Sequence, residues 1–352
     1  MAKILFHLAG GIGNMIMATP SINALVDAGE TVDLLVDGDF DDSIDLFKGW
    51  PVPRLIANQE SDLPDGSYDF YLISWLAKKP LDIPQIQESI ILSTSYYGVD
   101  GRRFPEYEMY MHFARAINQT CARIAKTYCG TSGREFPEIT KKTLVLYPGC
   151  QERYPIKRWD KFPQLAARYD DVAIVGSDMD LSPRYSYTYP EWIKKHFGPQ
   201  LGRNGRVARL LKLFGTLYNH QVTLPVHVKN YIGKLTLADT AALIGQAGVF
   251  VGNDGGLSHI AAALGIPTYV LFGPTDVDKN TVPMPNLHVI RTGLDCQPCQ
   301  FGGKYPKSFT SHYIGCPINV RCLTSIECDD VIQHLDQGNV DTTDRLNRQH
   351  GK

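Results

Sequence analysis

Asp254, Ser258 and His259 cluster around two consecutive glycines in Gly252-Asn-Asp-Gly-Gly-Leu-Ser-His259. A carboxylate, a hydroxyl and an imidazole at such a turn can hold a polar ligand and handle its protons. Gly255 and Gly256 let the chain turn sharply and approach a ligand closely. A helix that opens there points free N–H groups and its dipole at an anion such as a phosphate. The elements follow from the pattern. Val249-Phe-Val251 reads as a buried parallel strand, and Leu257 to Leu264 as a short apolar helix stopped by Gly265 and Pro267. Gly273-Pro-Thr-Asp276 ends the next strand at the same sheet edge, where open α/β sheets bind ligands. Taken alone, a strand–glycine–helix turn is an ordinary part of any such sheet. The polar cluster sets this one apart.

Three further groups could do chemistry. Gly10-Gly-Ile-Gly-Asn14 follows the first strand, with Ile16 where a dinucleotide fingerprint needs its third glycine. The bland reading of Asn14 is a helix cap. Tyr147-Pro-Gly-Cys-Gln-Glu-Arg-Tyr-Pro-Ile-Lys-Arg-Trp159 sets Arg153, Lys157 and Arg158 just beyond another strand, a loop expected to be exposed. Cys296-Gln-Pro-Cys299, Cys316 and Cys322 have spacing that lets four thiolates converge on one metal ion, zinc or iron. Cys328 is an alternative to Cys322, and inert buried thiols are the plain alternative to a metal. Cys121, Cys129 and Cys150 read as core or loop residues.

Strands alternating with helical segments predict parallel, doubly wound sheets. The first unit spans 1–135: a strand over Lys3–Ala9, a helix from about Asn14 to Ala28, and strands at Val32–Val36, Tyr68–Ser74 and Ser89–Ser93. Helical spacing runs from Tyr107 to Asn118. The linker falls around Cys129–Lys142, where Gly, Ser, Pro and charges gather. A second unit, 141–336, opens with strands at Thr143–Tyr147 and Asp171–Gly176. It carries a basic insertion at 181–222 and the cysteine cluster at 296–322. The polar end, 337–352, is expected to fray.

The block from Gly252 to Asp276 resembles, in order, the donor site of glycosyltransferase family 9, whose best-known members are ADP-heptose:lipopolysaccharide heptosyltransferases. The resemblance implies a GT-B fold, two Rossmann-like domains facing a central cleft that holds a nucleotide sugar. It implies donor contacts from Lys157, Asp254, Gly255, Gly256, Ser258 and His259, with Arg153 and Arg158 assisting, and no cofactor for catalysis. Lys157 lands on the lysine that faces the diphosphate. Gly10, Gly11, Gly13 and Asn14 fall on the acceptor side, with Gly13 and Asn14 at the reacting centre. In the heptosyltransferases the residue after the last glycine is an aspartate, implied to be the general base. Here it is Asn14, and an amide does not take a proton at neutral pH. Asn14 then orients reactants while another group takes the proton, or the departing phosphate oxygen does so. The loop is also similar to the Gly-Gly-x-Gly-Asn loop of GDP-fucose-using fucosyltransferases. An acidic residue that reaches the ribose in the family aligns with Ala238, next to Asp239, which equally reads as a helix-start acid. Some relatives are implied to hold iron at a similar cysteine pattern.

Composition narrows the partners. Charge is nearly balanced, with 35 Lys and Arg against 37 Asp and Glu, so no global field selects a polyanion. The absence of a long apolar run or a signal-peptide pattern predicts a cytoplasmic chain without a transmembrane segment. Eight cysteines do not read as a secreted disulfide scaffold. The expected activity is inverting transfer of a sugar from a nucleoside diphosphate sugar to a hydroxyl of a glycan or lipopolysaccharide acceptor. Two alternatives stand. The insertion interleaves Arg203, Arg206, Arg209 and Lys212 with Tyr and Phe, a composition that suits a hydroxylated base in DNA. The missing aspartate would also fit an inactive nucleotide-sugar binder.

Overall fold

The computed structural model describes residues 1–64, 66, 68–74, 86–91, 105–122, 126–150, 155–177, 180, 223–300, 316, 318 and 320–349, without the side chains of 86–91, 155 and 339–349. The basic insertion and Arg153 lie outside the described residues.

The N-terminal half forms a five-stranded parallel sheet ordered β3-β2-β1-β4-β5. Its strands are β1 (Lys3–Gly10), β2 (Thr31–Gly38), β3 (Leu55–Ala57), β4 (Tyr68–Ile73) and β5 (Ile86–Ile91). Both faces of β1 are apolar because both are covered. Ile4, Phe6 and Leu8 join one core and Leu5, pointing the other way, joins Leu35, Tyr68 and Tyr71 in a second. Helix α1 (Ile12–Asp27) is buried continuously from Met15 to Leu25, as a helix held between a sheet and a second layer must be. Pro20 removes the donor that the Ile16 carbonyl would otherwise receive, and the Thr19 hydroxyl supplies it at 2.7 Å. Helix α2 (Glu106–Ile117) packs against α1.

Residues 126–143 run without strand or helix to the second sheet, six parallel strands ordered β11-β10-β9-β6-β7-β8. These are β6 (Leu144–Tyr147), β7 (Val172–Ile174), β8 (Lys229–Asn230), β9 (Val249–Asn253), β10 (Thr268–Leu271) and β11 (Leu287–Ile290). The helices in chain order are α3 (Phe162–Ala166), α4 (Leu237–Gln246), α5 (Gly256–Ala263), α6 (Val277–Asn280), α7 (Arg321–Thr324) and α8 (Cys328–Gln349). Alternation again divides the faces. Leu144, Leu146 and Val251 enter one core, while Val145, Tyr147 and Phe250 enter the core that also holds α1.

Helix α8 continues past Gln337 to Gln349, and Val331 and Leu335 near its start bury one face. Strand β5 includes Ile86, three residues before the expected Ser89, and the expected end at Ser93 lies outside the described residues.

Candidate functional site

In both sheets the strand order reverses beside the first strand of the unit, and such a switch point opens a crevice at the carboxyl ends. In the second sheet the reversal lies between β6 and β9, which pair from Leu144↔Val249 to Tyr147↔Gly252. The loop after β6 carries Lys157 and the loop after β9 carries Asp254, Gly255 and Gly256. Asn253, fully buried, locks the two loops together. Its Oδ1 accepts the Trp159 backbone N–H at 3.0 Å and its Nδ2 donates to the Pro148 carbonyl at 2.8 Å.

Gly255 precedes α5 in extended backbone (φ −169°), which any residue adopts, so the sharp-turn explanation fails there. Space is the reason for the glycines. A Cβ on Gly255 would lie 2.9 Å from the Tyr147 ring, and one on Gly256 would lie 3.1 Å from Ile12. Among the described residues no side chain caps α5, and the Ser258 N–H turns back to the Gly255 carbonyl at 3.1 Å.

Lys157 Nζ lies 3.0 Å from Asp254 Oδ2, with the two side chains only 12% and 5% exposed. Lys157, expected to be exposed, is therefore half of a buried ion pair. Burial alone would push the Asp254 carboxyl up; Lys157, then His259 and Thr275, overcome it and hold it below the usual carboxylate range. Burial pushes the His259 imidazole down, against the pull of Asp254. That ring abuts the other half of the molecule. A Cβ on Gly13 would stand 2.6 Å from His259 Cδ2 and 2.8 Å from Nε2. Glycine is required at position 13 by this approach.

Asn14 leads into residues with no signal in the sequence. Its Nδ2 donates to Glu106 Oε1 at 2.5 Å. Glu106, fully buried, also accepts from Tyr110 Oη at 3.1 Å and pairs through Oε2 with Lys279 Nζ at 2.8 Å. Lys279 donates to Asn280 Oδ1 at 3.2 Å, and Asn280 Nδ2 donates to Asp254 Oδ2 at 3.3 Å. One polar chain thus runs Asn14–Glu106–Lys279–Asn280–Asp254–Lys157 across both halves. In sequence Glu106 is only an acid at a helix start after Pro105, 92 residues from Asn14 and 173 from Lys279.

Other expected residues take quieter places. Arg158 donates to the Asp180 carbonyl at 2.6 Å and faces its carboxylate at 3.5 Å. Ser258 is buried and donates to the Asn253 carbonyl at 2.7 Å. Asp239 pairs with Arg134 at 3.0 Å and is held below the usual carboxylate range, first by Ser132 and then, against burial, by Arg134. Its carboxylate ties α4 to the connecting segment. Gly10 has φ +90°, which favours glycine, and Gly11 borders Asn14.

The cysteines partly converge. Cys322 is raised to about 12 by burial, then by Cys299, Cys316 and Cys296, so the four thiols sense one another. Cys316 Sγ accepts the Val320 N–H at 3.2 Å. Yet among the described residues no group of three or more His, Cys, Asp or Glu is arranged to hold a metal ion. Cys328 turns instead to the Lys161 carbonyl at 3.7 Å. Among the described residues no helix is long and apolar enough to cross a membrane.

Comparison with known proteins bears on the family resemblance and the fold. Residues 217–307 match the profile of glycosyltransferase family 9 (heptosyltransferase). Lipooligosaccharide heptosyltransferase 2 of Campylobacter jejuni is 24% identical over 315 residues, covering 84% of this chain and 89% of that protein. The structure of E. coli ADP-heptose lps heptosyltransferase II superposes with a TM-score of 0.59 at 17% identity, over 97% of this chain and 99% of that one. A family 9 glycosyl transferase of Veillonella parvula gives 0.62 at 14% identity, over 97% and 98%. At these identities the structural likeness speaks for the fold, GT-B.

Proposed function

The chain is a glycosyltransferase of GT-B fold that resembles family 9, and on that premise we propose that it moves a sugar from a nucleoside diphosphate sugar to an acceptor hydroxyl with inversion. The observation that carries this reading is the meeting of Lys157, Asp254 and His259, around the start of α5, with Gly13 and Asn14 at the start of α1. The diphosphate sits against Lys157 and the N–H groups at the start of α5, which offset the charge that grows as the glycosidic bond breaks. Asp254 shares Lys157 with the ligand and holds it in place before the donor arrives. The acceptor oxygen attacks the anomeric carbon from the α1 side, opposite the leaving diphosphate, which inverts the configuration. In this reading residues 1–135 form the acceptor-side domain and 141–336 the donor domain.

The named activities of the similar proteins make ADP-heptose the first donor to try and a lipopolysaccharide-type glycan the first acceptor class. Eight free cysteines suit a reducing, cytoplasmic setting. Catalysis runs without a cofactor. Cys296, Cys299, Cys316 and Cys322 have the soft donors that zinc or iron prefers, and drawing them together would bind one structural ion and steady α7 against the loop at Cys296. A thermal-shift screen of nucleoside diphosphate sugars tests the main reading: a bound donor raises the melting point, and product analysis then gives the anomeric configuration. If no donor raises the melting point or is consumed, the transferase reading fails.

A further inference from the structure

Resting on that reading, we propose that Asp39 takes the acceptor's proton, and that Glu106 holds Asn14 so that its amide aims the hydroxyl at Asp39. Glu106 receives the Asn14 amide, the Tyr110 hydroxyl and the Lys279 ammonium. A carboxylate in that setting only accepts hydrogen bonds, so the nitrogen of the Asn14 amide must face it. The orientation of the amide is therefore set by chemistry, and Oδ1 is left for another donor. That oxygen is 3.2 Å from the position a Cβ on Gly11 would take. Asp39 Oδ2 is 3.8 Å from the same position, so the two oxygens are no more than 7 Å apart. Because position 11 is glycine, no side chain stands between them.

Asp39 lies one residue past β2, where its backbone N–H donates to the Gly10 carbonyl at 3.0 Å. Its side chain is exposed, and Phe40 beside it is 54% exposed, an apolar surface on which a sugar ring can rest. A hydroxyl that donates to one of two oxygens and lies near the other spans about 5 Å, within reach of a small rotation of Asp39. Glu106 cannot play this part, since it is wholly buried. The same carboxylate accounts for the amide at position 14. An aspartate there would set two carboxylates within hydrogen-bond distance, and like charges that close cannot both stay ionised.

The step balances. The acceptor oxygen forms a bond to the anomeric carbon, and its proton passes to Asp39. The bond from that carbon to the phosphate oxygen breaks, and the nucleoside diphosphate leaves with the electron pair. Asp39 is a catalytic residue in this scheme; Glu106 is a positioning residue.

The test uses the full chain with ADP-heptose, following ADP release to water and to a glycan acceptor. Asp39→Asn should lower turnover by about 10²–10⁴-fold, the usual contribution of a general base. ADP affinity and melting temperature should stay as in the wild type, because the side chain is exposed and lies off the donor loops. Asn14→Asp should also lose turnover, and Glu106→Gln added to it should restore part, since the pair again holds one carboxylate and one amide. A purely structural role for Glu106 would give no such rescue. Wild-type turnover in Asp39→Asn, or faster turnover in Asn14→Asp, overturns this assignment while leaving the transferase intact. A wild type that neither binds nor consumes any nucleoside diphosphate sugar of the thermal-shift screen overturns the transferase reading and this assignment with it.

Discussion

Lys157→Ala removes one half of the ion pair on which the proposed donor site is built. Lys157 and Asp254 meet at 3.0 Å with 12% and 5% of their side chains exposed, so water cannot replace the lost partner. Breaking such a pair costs about 3–5 kcal/mol, because an uncompensated charge stays buried. The Asn280 amide still donates to Asp254, which puts the expected loss at the lower end, about 3 kcal/mol. For a unit of roughly 200 residues that is a fall of about 6–12 °C in melting temperature. Differential scanning calorimetry of Lys157→Ala and of Lys157→Met with Asp254→Asn separates the causes. The double variant leaves no naked charge and should recover most of the stability. Calorimetric titration with ADP should show both forms weakened by about 1.5–3 kcal/mol, the worth of a charge-assisted contact. If Lys157→Ala melts with the wild type and binds ADP equally well, the pair is neither buried as described nor part of the site.

Gly13→Ala should drive a methyl into the His259 ring, whose Cδ2 is 2.6 Å from the Cβ position, at a cost of about 1–3 kcal/mol. Adding His259→Ala should relieve the melting temperature but not the activity. Asp254, held below the ordinary carboxylate range of about 3.9, contributes stability that is present above that pH and is lost as pH falls through its folded value. Urea midpoints between pH 7 and pH 3 should therefore fall less steeply for Asp254→Asn than for the wild type. Protein prepared without chelators should carry close to one zinc or iron per chain by elemental analysis, and Cys299→Ser should abolish it. Metal-free protein with freely titrating thiols would refute that site.

The α/β class and the place of the strand–glycine–helix turn were legible in the residues. Apolar β-branched runs, glycine turns and short helices act over a few neighbours, so Val249–Asp276 spells its strands and helices without outside help. Asn14 was equally plain, and the family resemblance implies an aspartate in its place. What only the tertiary structure decided is what faces what. Gly255 and Gly256 read as turn glycines, and packing shows them instead making room for Tyr147 and Ile12. Lys157 read as a solvent-facing lysine until burial paired it with Asp254. Glu106 and Lys279 carried no signal in the sequence, yet they link Asn14 to Asp254 between the two halves. Local propensity reports a residue's own backbone, and burial depends on chain segments a hundred or more residues away. Amide orientation, ion pairing and the reach of Asp39 toward Asn14 belong to that second kind of information, so only the packed molecule contains them.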